Sequence, residues 1–313
     1  MKNLKKIKGD ASFRKFLRKK SKDFSSVIVY SKKEKLKNLL IYDSINKILR
    51  KNKILAPKLY KESYNKNFIE IQDFGDETIY KIFSKKKINK FLYFRKIIQV
   101  LNKIQSIKNK NIKNFKEKNY TLPKYDKKIL LHEAYMFSDW YIKKNLSKKR
   151  RNEFVKRYKK TVEKLASNLQ LKNDIFVHRD FHISNLMLVN KQIGVIDSQD
   201  ALIGNRAYDL ASLIDDVRFK TSKSLKNKIY NHYIRSQKKL DKSKFKNDFD
   251  ILSVLRNLKI IGIFTRLAIR DGKKNYLKLI PHAWSLINMR IHEARTFIDL
   301  KELLSQNFIG KIK

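Results

Sequence analysis

The sequence predicts an α+β fold in two lobes, a small β-rich N-lobe over residues 1–75 and a larger helical C-lobe over residues 76–313. Three observations predict it. At 313 residues the chain is long enough for more than one core. Its alternating segments, Ser12 to Arg18, Ser26 to Tyr30 and Phe68 to Ile71, gather before Gly75. Beyond that point apolar residues recur mostly at three and four, the spacing of helices packed on one face.

In chain order, Gly9-Asp10-Ala11-Ser12-Phe13-Arg14 opens the first strand pair. Phosphate-cradling loops carry G-x-G-x-x-G or G-x-x-x-x-G-K-[ST], and the chain has neither. A phosphate-facing turn here would rest on Ser12 and backbone N–H groups, with an ordinary hairpin as the alternative. The strand Ser26 to Tyr30 lacks the lysine that pairs with nucleotide phosphates, so Arg14 and Arg18 stand as candidate cations, or as plain surface charges. Lys33 to Lys51 reads as a helix with Leu36, Leu39, Leu40 and Ile48 on one side and Glu34 as its only glutamate. Phe68 to Ile71 then runs into Gln72-Asp73-Phe74-Gly75-Asp76, an extended hinge; Gln72 and Asp73 would offer backbone groups to an adenine edge.

Phe91, Phe94, Ile98 and Leu101 place a helix over Ile88 to Ser106, and polar, basic Lys108 to Lys118 reads as a mobile loop. A helix from Lys127 to Lys144 carries Glu133, Phe137 and Trp140 on one face. These form either a core Phe/Trp pair with a peripheral Glu, or an aromatic platform and carboxylate that hold a sugar. After the central stretch the chain reads as helix: Tyr208 to Val217, Ser224 to Lys238, Phe249 to Arg270, Tyr276 to Asn288 and onward. Asp209 reads as a helix cap.

The chemistry concentrates between Phe176 and Asp216. His178-Arg179-Asp180 is followed by Asn185, the H-R-D-x-x-x-x-N spacing of a phosphoryl-transfer loop. Asp180 would accept the proton of the acceptor hydroxyl. Leu186 to Val189 and Ile193 to Ile196 form a hairpin that returns Asp197 to Asn185, two hard oxygen ligands suited to Mg2+. His182 is a donor for the transferring group or a structural histidine, and Asp200 either reaches the acceptor or closes a turn.

These residues give the chain a resemblance to the aminoglycoside-phosphotransferase-like kinases. Within them it is most similar to the bacterial N-acetylmuramate/N-acetylglucosamine anomeric kinases of peptidoglycan recycling. The segments that carry it are GDASFR, IEIQDFGD, LPKYD, E-x-x-x-F-x-x-W, VHRDFHISNLM, IDSQDA, YDLASL and LKIIGIFTRLAIRDGKKNYL, almost end to end. The resemblance implies a protein-kinase-like bilobal fold, ATP, Mg2+ and a small-molecule sugar acceptor phosphorylated at C1, with Asp180 as base and Asn185 and Asp197 as metal ligands. Asp197-Ser198-Gln199 departs from the Asp-Phe-Gln common in that family.

Composition bounds the alternatives. With no cysteine, disulfides and thiol chemistry are excluded, and with no long apolar run no membrane contact is expected, which points to the cytoplasm. Lys plus Arg is 75 against 29 acids, a formal net charge of +46, yet the lysines spread through every segment beside Ile and Asn, as A/T-rich codons dictate, so nucleic acid is not the expected partner. A protein kinase is disfavoured because Asp197 to Tyr208 leaves no room for a long activation segment.

Overall fold

The computed structural model describes residues 4–7, 14–22, 24–31, 38–85, 87–292 and 294–312. The expected turn at Gly9 to Phe13, with Ser12, lies outside them, as does the start of the helix expected from Lys33. The chain packs as two compact units, Met1–Pro123 with Ile175–Leu202 and Lys124–Asp174 with Ile203–Lys313.

In the first unit, β1 (Leu4–Ile7), β2 (Lys15–Lys20) and β3 (Ser25–Tyr30) precede helix α1 (Asn38–Lys51), and β4 (Leu59–Ser63) and β5 (Phe68–Gln72) complete an antiparallel sheet of order β1-β2-β3-β5-β4. Pairing of Val27 with Ile71 and of Val29 with Ile69 puts four apolar residues on one face. There Leu39 and Tyr42 of α1 cover them, so two-residue alternation in the strands meets helical spacing in one core. Strand β1 was not foreseen. Its Leu-Lys-Lys-Ile sequence is largely exposed and forms an edge, where lysines guard against further pairing and erase the apolar signal.

Helices α2 (Ile79–Lys85) and α3 (Lys90–Gln105) follow, the latter capped by the Asn89 side chain accepting from Phe91 N. A hairpin of β6 (Asn111–Lys113) and β7 (Asn119–Thr121) occupies the stretch expected to be a mobile loop. Asn114 closes its turn, its Oδ1 accepting from the Lys116 and Lys118 N–H groups at 2.8 and 3.3 Å.

The central hairpin, Leu186–Val189 paired with Gln192–Val195, belongs to this unit too. Asn190 and Lys191 turn it with φ of 48° and 64°, the two left-handed residues of a tight hairpin turn. Val195 N donates to Leu55 O at 2.8 Å and Leu188 N to Glu77 O at 2.9 Å. A Cβ at Gly194 would lie 2.9 Å from the Phe74 ring. These ties join the hairpin to the strand-rich part of the chain.

The second unit is helical. Lys127–Met136, capped by Asp126 accepting from Ile129 N, widens into a π-helical segment, Phe137–Ile142. Helices Lys148–Ser167, Ala207–Ile214, Lys223–Arg235, Lys242–Arg270, Ile280–Ile291 and Ile298–Asn307 complete it. Asp209 lies within the first turn of its helix and not at the cap; Asn205 Oδ1 instead accepts from Ala207 N at 3.0 Å. Among the described residues no helix is long and apolar enough to cross a membrane.

Candidate active site

The loop expected to carry the chemistry is held from behind. His178 is fully buried and its Nε2–H donates to Ile196 O at 3.2 Å, stapling the start of the loop to the residue before Asp197. Burial pushes the His178 imidazole below its ordinary value, against the opposing pull of Asp180 and Asp197. Arg179 and Asp197 both sit at positive φ, 72° and 61°, a conformation that non-glycine residues hold only when the surroundings impose it.

Asp180 is half-buried, and its carbonyl accepts from His182 N at 3.0 Å and from Asn185 Nδ2 at 3.1 Å. Asn185 O in turn accepts from Ile196 N at 3.1 Å, so the hairpin does return Asp197 to Asn185. With its amide nitrogen fixed, Asn185 keeps Oδ1 without a donor among the described residues. His182 is buried behind it, Nε2 lying 3.5 Å from Asn185 Nδ2.

Asp197 faces a buried cation. Arg14 Nη2 donates to its Oδ1 at 2.8 Å and Arg14 Nη1 donates to Gln199 Oε1 at 2.8 Å. The guanidinium also lies over the rings of Phe16 and Tyr42, 5.6 and 5.7 Å from their centroids. Burial pushes the Asp197 carboxyl up; Arg14 opposes this, Asp180 and Asp200 add to it, and the net shift is upward. Ser198, which departs from the family's phenylalanine, is fully buried and donates to Asn46 Oδ1 on α1 at 2.9 Å. Gln199 Nε2 donates to exposed Asp200 at 2.7 Å.

The family model described as a phosphotransferase enzyme family matches residues 3–240. The chain belongs to that family. It is 27% identical over 306 residues to the N-acetylmuramate/N-acetylglucosamine kinase of Neisseria meningitidis serogroup B, covering 94% of this chain and 86% of the relative. It is 26% identical over 302 residues to that of Pseudomonas aeruginosa, covering 95% and 86%. Among solved structures it is similar to an amicoumacin kinase in complex with AMP-PNP, Ca2+ and Ami, with a TM-score of 0.64 at 12% identity over 92% of this chain and 88% of that one. It is likewise similar to a Plasmodium vivax ethanolamine kinase, with a TM-score of 0.61 at 15% identity over 90% and 81%. The α+β fold expected from the sequence is the fold of these phosphotransferases.

Within this phosphotransferase the other expected residues are placed as follows. Arg18 grips the turn after β5, pairing with Asp73 at 2.6 Å and Asp76 at 2.8 Å and donating to Gly75 O at 2.8 Å. Burial pushes Asp73 up, but hydrogen bonds from Arg18, Ser25 and Gly75 outweigh it and hold the carboxylate below its usual range. The Asp73 side chain is therefore a clamp for this turn, whereas Gln72 closes the strand end, its N donating to Lys58 O at 2.8 Å. In the second unit Glu133 is buried, Oε1 on Lys259 Nζ at 2.9 Å and Oε2 accepting from Tyr125 OH at 2.6 Å. Phe137 is fully buried among Tyr141, Phe154, Tyr158, Trp284 and Phe308. Of the three residues expected on one face, Trp140 alone keeps partly exposed area. Asn46 escaped the sequence reading, although polar Asp43, Ser44 and Asn46 inside the apolar helix LLIYDSINKIL were the signal that something polar lies against it.

The donor set suits a hard divalent cation. Asn185 Oδ1 and the Asp197 carboxylate are the oxygen types Mg2+ takes, and Mg2+ in phosphoryl-transfer sites needs only one or two such protein ligands. Among the described residues no group of three or more His, Cys, Asp or Glu side chains is placed to hold a metal.

Proposed function

We propose that this phosphotransferase moves the γ-phosphoryl group of ATP to the anomeric hydroxyl of N-acetylmuramate or N-acetylglucosamine, giving a sugar 1-phosphate for cell-wall recycling. The observation that carries the reading is the loop itself: one short turn and one hairpin gather Asp180, Asn185 and Asp197, with Asn185 bonded to both arms. The acceptor class is supported by kinases of that name, 26–27% identical over some 95% of the chain.

Asp180 accepts the hydroxyl proton as the new O–P bond forms. An anomeric hydroxyl is more acidic than an ordinary alcohol, so an unassisted carboxylate suffices. Mg2+, held by Asn185 and Asp197, would neutralise charge on the phosphates. Asn185 is kept oriented by the Asp180 carbonyl and by His182 behind it. Exposed Asp200, in the same unit as Asp180, offers an acceptor for the hydroxyls of the sugar.

Incubation of the purified protein with ATP, Mg2+ and a panel of amino sugars, aminoglycosides, ethanolamine and peptides tests this. The expected product is an α- or β-linked 1-phosphate by phosphorus NMR that no longer reduces. A 6-phosphate, a phosphorylated aminoglycoside or a product that still reduces would refute the acceptor assignment while leaving the phosphotransferase intact.

A further inference from the structure

Arg14 does more at this site than a phosphate-binding cation would. It is 7% exposed, packs against Phe16 and Tyr42, and spends two of its nitrogens on Asp197 and Gln199. The segment it grips is held at three successive residues: Asp197 and Gln199 by Arg14, and Ser198 by Asn46. Asp180 and Asp200 act electrostatically on Asp197 there, and Arg14 is a cation in contact with it at 2.8 Å. A guanidinium cannot discharge, so its charge is a fixed component of the site.

We propose that Arg14 is the positioning residue of the metal centre: it fixes the Asp197 side chain and, as a permanent cation in contact with that carboxylate, sets how tightly the loop holds a divalent ion. This rests on the reading of Asn185 and Asp197 as metal ligands. A buried positive charge beside a ligand opposes a second cation more strongly than any surface charge does. Affinity is thus kept low for the bare ion, and the ion is retained when phosphates add their own negative charge. Lysine, a single point charge, would keep the repulsion and lose the two-point grip.

Binding of Mn2+ alone to the full chain, followed by electron paramagnetic resonance, tests the proposal. Arg14→Gln should bind Mn2+ at least about tenfold more tightly than the parent while kcat falls. Arg14→Lys should keep the parent Kd within about threefold, also with lower kcat. Tighter binding is a result that simple structural damage does not produce. An unchanged or weaker Kd in a folded Arg14→Gln overturns the proposal. Should that variant fail to fold, a shift of more than about threefold in Arg14→Lys overturns it equally. Asp197→Asn separates the underlying reading: Mn2+ binding should be lost, and parent-like binding there would remove Asp197 from the metal site, and the proposal with it.

Discussion

At the scale of single residues, the loop makes a sharp separation between chemistry and scaffold. Asp180 offers a half-buried side chain while its backbone carbonyl holds two hydrogen bonds, so Asp180→Asn leaves those bonds in place and removes the carboxylate proposed as base. Turnover should fall at least about a hundredfold with the KM for ATP changed little. Near-parent kcat in that variant would take Asp180 out of the mechanism. The spacing of Asp180, Asn185 and Asp197 was legible because it depends on chain-local geometry, a five-residue turn and a hairpin. Arg14 on Asp197 was not, because a contact across so much sequence leaves no periodic trace, and in a chain this rich in Lys and Arg no single cation stands out.

At the scale of elements, two features of the helical unit make predictions. Gly262 lies in the helix Lys242–Arg270 where it meets the junction of Lys127–Met136 with the π-helical segment; a Cβ there would sit 2.2 Å from Met136 O and 2.6 Å from Phe137 N. Those atoms are backbone and cannot rotate away. Gly262→Ala should lower stability by roughly 1–3 kcal/mol, seen as a lower Tm, and an unchanged Tm would show that the close approach is not maintained in solution. The second feature is Asp215, fully buried at the end of Ala207–Ile214. It pairs with Lys226 at 2.8 Å and Arg290 at 3.0 Å and accepts from Ser253 at 2.6 Å. Burial pushes this carboxyl up, but Lys226 and Arg290 outweigh it and bring it down to about 2. Because that lies below the unfolded value of about 3.9, its contribution is complete above pH ~4 and is lost as pH falls toward 2. Asp215→Asn strands two buried cations and should cost about 3–5 kcal/mol at neutral pH. The stability gap between parent and variant should narrow between pH 4 and 2; a constant gap across that window would contradict the linkage. Helix existence was legible from spacing alone, whereas the π-helical segment and the glycine contact depend on which helices meet, and the short β6–β7 hairpin depends on one asparagine side chain.

At the scale of the whole molecule, the dominant quantity is charge. With 75 basic residues against 29 acidic ones, the chain carries a formal +46, and the surplus is spread along the entire sequence. A distribution of that kind makes a long-range positive field without making a footprint for any one partner, so its consequence is kinetic: it raises the encounter rate of anions and leaves neutral ligands alone. The two proposed acceptors differ in this respect, since N-acetylmuramate carries a lactyl carboxylate and N-acetylglucosamine is neutral. Measured at saturating ATP, where attraction of the nucleotide no longer limits, the ratio of kcat/KM for N-acetylmuramate over N-acetylglucosamine reports steering of the acceptor alone. Raising ionic strength from about 0.01 M to 0.5 M shrinks the Debye length from about 30 Å to well under 10 Å. The ratio should therefore fall at least about threefold across that range, with most of the change below 0.15 M. A ratio indifferent to salt would mean that discrimination between the acceptors lies wholly in short-range contacts, and that the charge of +46 plays no part in the capture of substrate.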